Sequence, residues 1–417
     1  MAILALIRRH ILSSRGGAHS IKKSIIAAAS LAFLLTVLCA CSTAASDPMQ
    51  ETEIPLQSES ETAPAVTPAP TPSPTLTPYI SILGKEYKYN TRFIDLSGIT
   101  SQELSSVADD IARLQYLRDI NLLDENRTCF DLDSLLLLKE IVPDAVIHCS
   151  FDLFGKAVCS EDEEIIYEKV PIGNDGVDRI REAIPLLHNC SRLVLSDCGI
   201  DNEILAELRD DFPDIKIVWR IVVHGYGHMT DIERIRTNLI DNKDAELLKY
   251  FTDVKYIDMG HRKKLTNWEF LKYMPHLQVL IVSITDFSDK DLWYLTECHE
   301  LEYLEMASCH VTDLTPLAQC TSLEHLCIGN LPGVTDISPL YGLTNLKRLR
   351  ISQDNVPQEQ KDEITRLLPD CQMLFGPFHW GFAGYWRYDD EGKYVERYTL
   401  LREQFDYDDY PWAGWAW

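Results

Sequence analysis

An apolar-x-apolar triplet recurs five times at a nearly constant interval, and that period constrains the fold more than any other feature of the chain. The triplets are Ile257-Asp258-Met259, Leu280-Ile281-Val282, Leu304-Glu305-Met306, Leu326-Cys327-Ile328 and Leu349-Arg350-Ile351, at steps of 23, 24, 22 and 23 residues. A further apolar residue stands three places before each: Val254, Leu277, Leu301, Leu323 and Leu346. A unit this short holds one strand and one return segment and cannot bury its own apolar side. Successive units must therefore stack, with their inward residues forming one continuous column. The expected class is α/β: a solenoid of parallel strands on helical or 3₁₀ return segments.

The return segments repeat as well. VTDLTPLAQCTSL from Val311 and VTDISPLYGLTNL from Val334 align without a gap, and LTNWEFLKYMPHL from Leu265 has the same length and a similar pattern. These strings resemble the leucine-rich repeats of internalin-type bacterial surface proteins. The resemblance is close across the five repeats and looser from Ile94 to Phe375. It implies a leucine-rich-repeat solenoid made for binding protein or peptide, and says little about the ligand.

A second repetition lies upstream, where the stretch from Ile99 aligns with that from Ile172, and both copies run into a helix-like segment closed by Pro-Asp and a strand. Leu368-Pro369-Asp370 before Gln372 repeats that device. The spacing predicts two tandem atypical units over 79–225, with amphipathic helices at a period of 3.6, ahead of the repeat region at 226–375.

The N-terminus carries Arg8, Arg9, Arg15, Lys22 and Lys23 with no acid before Asp47, followed by an apolar run from Ile25 to Leu38. That run is too short for a permanent bilayer span and suits a signal-peptide core, here residues 1–40. Its ending, Leu38-Cys39-Ala40-Cys41, resembles the lipobox of bacterial lipoproteins, which implies a lipid on Cys41. Residues 41–78 then form a Pro/Thr/Ser-rich linker with prolines at 64, 68, 70, 72, 74 and 78, which should stay extended and reach on the order of 100 Å. The expected location is the extracellular face of a cell membrane, as in a Gram-positive bacterium.

A net charge of −25 argues against nucleic acid, whose phosphates would be repelled. The chain shows no GxSxG, HExxH, Walker loop or dinucleotide fingerprint, so no enzyme and no cofactor is expected. His224 and His228 stand four apart around glycines and lack an accompanying ligand at metal spacing, so no metal is expected there. Cys198, Cys298, Cys309 and Cys320 occupy repeat positions that favour buried thiols, with a Cys298–Cys320 bond left open.

The candidate ligand-binding residues follow from strand alternation. Residues flanking each inward apolar residue share the outer, concave face of the sheet: Tyr256 and Asp258, Val279 and Ile281, Tyr303 and Glu305, His325 and Cys327, Arg348 and Arg350. A solvated face is the plain alternative. The closing segment, 376–417, is rich in aromatic and acidic residues. It is expected either to cap the last repeat, with Phe375, Phe378 and Trp380, or to stack on a glycan or cell-wall sugar as an alternative ligand.

Overall fold

The structure is a computed structural model that describes residues 79–417 apart from 238, 262–263, 353–354, 377–385, 408–414 and 417. Cys41, the leader and the proline-rich linker lie outside the described residues, as do Phe378 and Trp380. Among the described residues no helix is long and apolar enough to cross a membrane.

From Arg234 onward seven strands stack in parallel: Arg234–Thr237, Tyr256–Asp258, Val279–Ile281, Tyr303–Glu305, His325–Ile328, Arg348–Ile351 and Gln372–Phe375. Their register aligns Ile235, Ile257, Leu280, Leu304, Leu326, Leu349 and Met373 as consecutive partners. From Ile235 to Leu349 this column is fully buried, as the repeat period requires. The fold is a leucine-rich-repeat solenoid. Five strands match the triplets, and the Pro-Asp device marks the strand at Gln372–Phe375. The strand Arg234–Thr237 escapes the pattern because Arg234 and Arg236 flank a single inward Ile235.

Among the return segments the helix Asp289–Leu292 runs on into a 3₁₀ turn, Trp293–Glu297, and three are single 3₁₀ turns, Glu269–Tyr273, Thr315–Gln319 and Ser338–Leu340. Proline near the start of the last two suits a first turn, whose N–H groups need no intrahelical partner. Side chains tie neighbouring units together. Asn242 Oδ1 accepts from the Thr266 and Asn267 amides at 2.9 and 3.1 Å, and Asp289 Oδ1 accepts from the Thr312 and Asp313 amides at 2.6 and 3.0 Å.

All ten described cysteines are free, and nine are buried. The four repeat-position thiols each lie against a carbonyl of the preceding unit: Cys198 on Tyr167 at 3.5 Å, Cys298 on Leu271 at 3.5 Å, Cys309 on Val282 at 3.2 Å and Cys320 on Leu295 at 3.7 Å. Burial pushes the Cys298 and Cys320 thiols up to about 12, so they pack as small apolar groups.

Upstream, one order of elements occurs twice. A three-stranded parallel sheet, Phe93–Asp95, Asp119–Asn121 and Val146–His148, carries the helices Ser101–Ala112 and Leu132–Ile141 and ends in a hairpin, Ser150–Leu153 with Lys156–Cys159. A second, Glu164–Glu168, Arg192–Ser196 and Lys216–Val218, carries helices Val177–Ala183 and Asn202–Asp211 and ends in the hairpin Arg220–Val223 with Tyr226–Met229. Thr100 caps the first helix reciprocally with Glu103, a device worth about 1 kcal/mol. One apolar core runs without a break from Ile80 to Cys371, so these units and the repeats share a single interior.

Candidate functional site: the covered face of the repeat sheet

The sheet presents two rows of side chains away from the column. One is Arg234, Tyr256, Val279, Tyr303, His325, Arg348 and Gln372; the other is Arg236, Asp258, Ile281, Glu305, Cys327, Arg350 and Leu374. All ten residues read from the sequence as this face therefore lie together on one surface, but that surface is not solvated. Ile281, Tyr303, Glu305, Arg348 and Arg350 are only 2 to 8% exposed, and Tyr256, Asp258 and His325 are half-buried.

The chain's own C-terminal segment covers them. Trp386 and the helix Glu396–Gln404 close over the middle strands, and Trp386, Tyr398, Leu401 and Phe405 join Val279, Ile281, Tyr303, Ala307 and Cys327 in a second apolar cluster. Tyr398, Leu401 and Phe405 recur at intervals of three and four, so one helix face carries all three. The rest of that short helix is polar apart from the exposed Leu400, which blurs the pattern along its length. Trp386, Tyr398 and Phe405 cover the face of the sheet, where Val279, Ile281 and Cys327 offer apolar area to bury; Phe378 and Trp380, two of the three residues expected at the end cap, lie outside the described residues. Phe375, assigned to the end cap, remains 38% exposed.

A polar network sits at the centre. The Glu305 carboxylate accepts from Arg387 Nη2 at 2.6 Å and Nε at 3.3 Å, from Trp386 Nε1 at 3.2 Å and from the Tyr303 hydroxyl at 2.9 Å. Trp386 Nε1 also donates to the Tyr303 oxygen at 2.8 Å. Burial works against the Arg387 charge, but Glu305 first, then Tyr398 and Tyr303, hold its pKa well above the ordinary arginine range. Burial, followed by Glu305, drives the Tyr303 phenol far up, so Tyr303 stays a neutral donor.

The charged residues at both ends of the face are engaged within the chain. The Arg348 guanidinium lies 5.8 Å from the Trp386 ring centroid, donates to the Tyr388 carbonyl at 3.1 Å and bonds Gln372. At the other end Tyr407 donates to Asp258, and Arg234 pairs with Asp406 at 2.5 Å and donates to the Gln404 carbonyl at 2.7 Å. Arg236 donates to the Phe405 carbonyl at 3.1 Å and lies 4.5 Å from the Tyr407 ring centroid. The strand Trp415–Ala416 then pairs antiparallel with Arg236–Thr237, so the first strand of the sheet has a partner on its outer edge. Arg234, Arg236, Trp386 and Arg387 were not among the sequence candidates; only pairing across the fold assigns them here.

His325 stacks on Tyr303 at 6.0 Å between ring centroids. Burial first, then Arg397 of the covering helix, lowers its pKa to about 4. A histidine depressed below its ordinary 6.5 binds a proton more readily once the cover lifts, so docking is fully favoured above pH 6.5 and weakens as pH falls towards 4. The loss is at most about 3 kcal/mol, and smaller in so far as solvent screens the half-buried ring. Following protease cleavage of the segment against pH, His325→Gln should flatten the dependence between pH 6.5 and 4. An unchanged profile in that variant would assign the effect to other groups.

His224 Nδ1 bonds Asp244 at 3.2 Å from the hairpin turn, and His228 is half-buried in the returning strand.

No family model and no curated protein matches this chain. Among solved structures, internalin F of Listeria monocytogenes is 17% identical over 67% of this chain and 83% of its own, with a TM-score of 0.32. Internalin C2 of the same organism is 19% identical over 32% and 68%, at 0.26. A leucine-rich-repeat protein of Leptospira interrogans is 16% identical over 67% and 81%, at 0.30. The fold assignment rests on the strand register described above.

Proposed function

We propose that this chain is a lipid-anchored, cell-surface leucine-rich-repeat module that binds a protein or peptide partner on the outer face of its repeat sheet. The observation that carries this reading is the way the sheet holds residues 386–407. A non-repetitive polypeptide segment lies across six of its seven strands through an aromatic cluster, a buried ion pair and hydrogen bonds to backbone carbonyls. These are the contacts by which a sheet face takes up a foreign peptide: aromatic and arginine anchors at the centre, polar groups at the rim. A partner with an aromatic side chain next to an arginine would match the Tyr303 and Glu305 positions and displace the cover. The described aromatics most deeply placed in the segment, Trp386, Tyr398 and Phe405, face the sheet, which takes them away from sugar stacking. Anchoring rests on the charge, apolar run and lipobox order ending at Cys41.

Truncation before Pro377 removes the cover and leaves the column intact, since the main core ends at Cys371. A synthetic peptide spanning 386–407 should then bind the truncated chain and be excluded from the full chain, as read by fluorescence anisotropy. A folded truncated chain that does not bind the peptide overturns the assignment of the face. In cells, Cys41→Ser should move the protein out of the membrane fraction; unchanged membrane association overturns the anchor.

A further inference from the structure

Away from the repeat sheet, three side chains from three elements converge in the upstream units. His148 closes the strand Val146–His148, Glu161 lies in the turn after Lys156–Cys159, and His188 follows the 3₁₀ turn Ile184–Leu186. Glu161 Oε1 stands 2.6 Å from His148 Nδ1 and 3.3 Å from His188 Nε2, and the three donor atoms all lie within 4.8 Å of one another. We propose that His148, Glu161 and His188 bind a divalent cation of the zinc class.

The distances suit that ion. Ligands about 2.1 Å from zinc in a tetrahedron are separated by about 3.4 Å, so small side-chain rotations bring these atoms into place. Two imidazoles and one carboxylate make a donor set that zinc accepts and calcium or magnesium does not favour. A fourth position remains for water.

The surroundings hold the ligands in position. Asp119 Oδ2 lies 3.4 Å from the other nitrogen of His148, Nε2. When a cation displaces the proton that Nδ1 donates to Glu161, a carboxylate there keeps the proton on Nε2, the arrangement that orients metal-binding histidines. The loop bearing His188 is tied to the turn bearing Glu161 by two bonds: the Asn189 amide to the Ser160 carbonyl at 3.2 Å and the Asn189 side chain to the Glu161 carbonyl at 3.0 Å. The histidine side chains are 27 and 29% exposed, buried enough to be held and open enough for an ion to enter.

The test is titration of the metal-free full chain with Zn²⁺ against a chromophoric chelator, with the Co²⁺ absorption spectrum as a second readout. One Zn²⁺ per chain is expected, with a tetrahedral cobalt spectrum lacking a thiolate charge-transfer band. Loss of that stoichiometry is expected in His188→Ala and in Glu161→Gln. Asp119→Asn should weaken binding by about 10- to 100-fold, and the His224→Ala/His228→Ala pair should leave it unchanged. Should His188→Ala fail to fold in chelator, the wild-type cobalt spectrum and Glu161→Gln still decide. Absence of saturable binding overturns the proposal, as does binding that persists at wild-type strength in both Glu161→Gln and His188→Ala.

Discussion

Leu304→Ala should lower the free energy of unfolding by about 2 to 5 kcal/mol, the range for a large-to-small change in a close-packed core. Leu304 is fully buried and lies in register between Leu280 and Leu326, so the cavity opens onto both neighbouring units and neither can close it alone. Leu326→Ala and Leu349→Ala should behave alike. Lys347→Ala is the matched comparison: its ammonium forms an exposed pair with Glu324 at 2.6 Å, and such pairs contribute about 1 kcal/mol or less. Urea denaturation of the four variants would reveal a wrong register as equal losses at Leu304 and Lys347. Arg350, also outward in its strand, does not serve as a silent control, because the covered face leaves it 4% exposed.

Glu305→Ala should have the second large effect, confined to a different part of the molecule. It removes the acceptor for Arg387, Trp386 and Tyr303 together and leaves a mostly buried guanidinium without its carboxylate. Breaking such a pair costs about 3 to 5 kcal/mol, with the lower figure expected because Arg387 keeps some contact with water. The cover can lift and return Arg387 to solvent, so the loss should appear as local opening of residues 386–407. Hydrogen exchange should show the helix Glu396–Gln404 losing protection while Leu280, Leu304 and Leu326 keep theirs. Glu305→Gln, which retains an acceptor, should fall between. Uniform loss of protection over helix and strands would mean that cover and sheet unfold as one unit.

These expectations differ in how far they could be read before the fold was known. The column could be, because each unit repeats the same local sentence of strand, turn and return, and five copies leave one register that buries every leucine. The cysteines followed for the same reason: a thiol at a fixed place in the repeat meets the same carbonyl of the preceding unit each time. Composition of the outer face was equally legible, down to the apolar Val279 and Ile281 between charged ends. Its occupancy was not. Nothing in Tyr303, Glu305 or Arg348 records that Trp386 and Arg387 lie against them, since those contacts join residues about forty to eighty positions apart with no period to announce them.

The sequence by itself determined the stacking period, the inward column and which side chains leave it, all consequences of short-range alternation repeated along the chain. Tertiary structure alone decided three further matters. The strand Arg234–Thr237 joins the sheet because Ile235 finds Ile257 as its partner; the outer face is closed by the chain's own C-terminal helix; and His148, Glu161 and His188 meet at one point. Each depends on pairing between segments distant in sequence, where apolar area, charge and hydrogen-bonding groups become complementary only after the chain has folded.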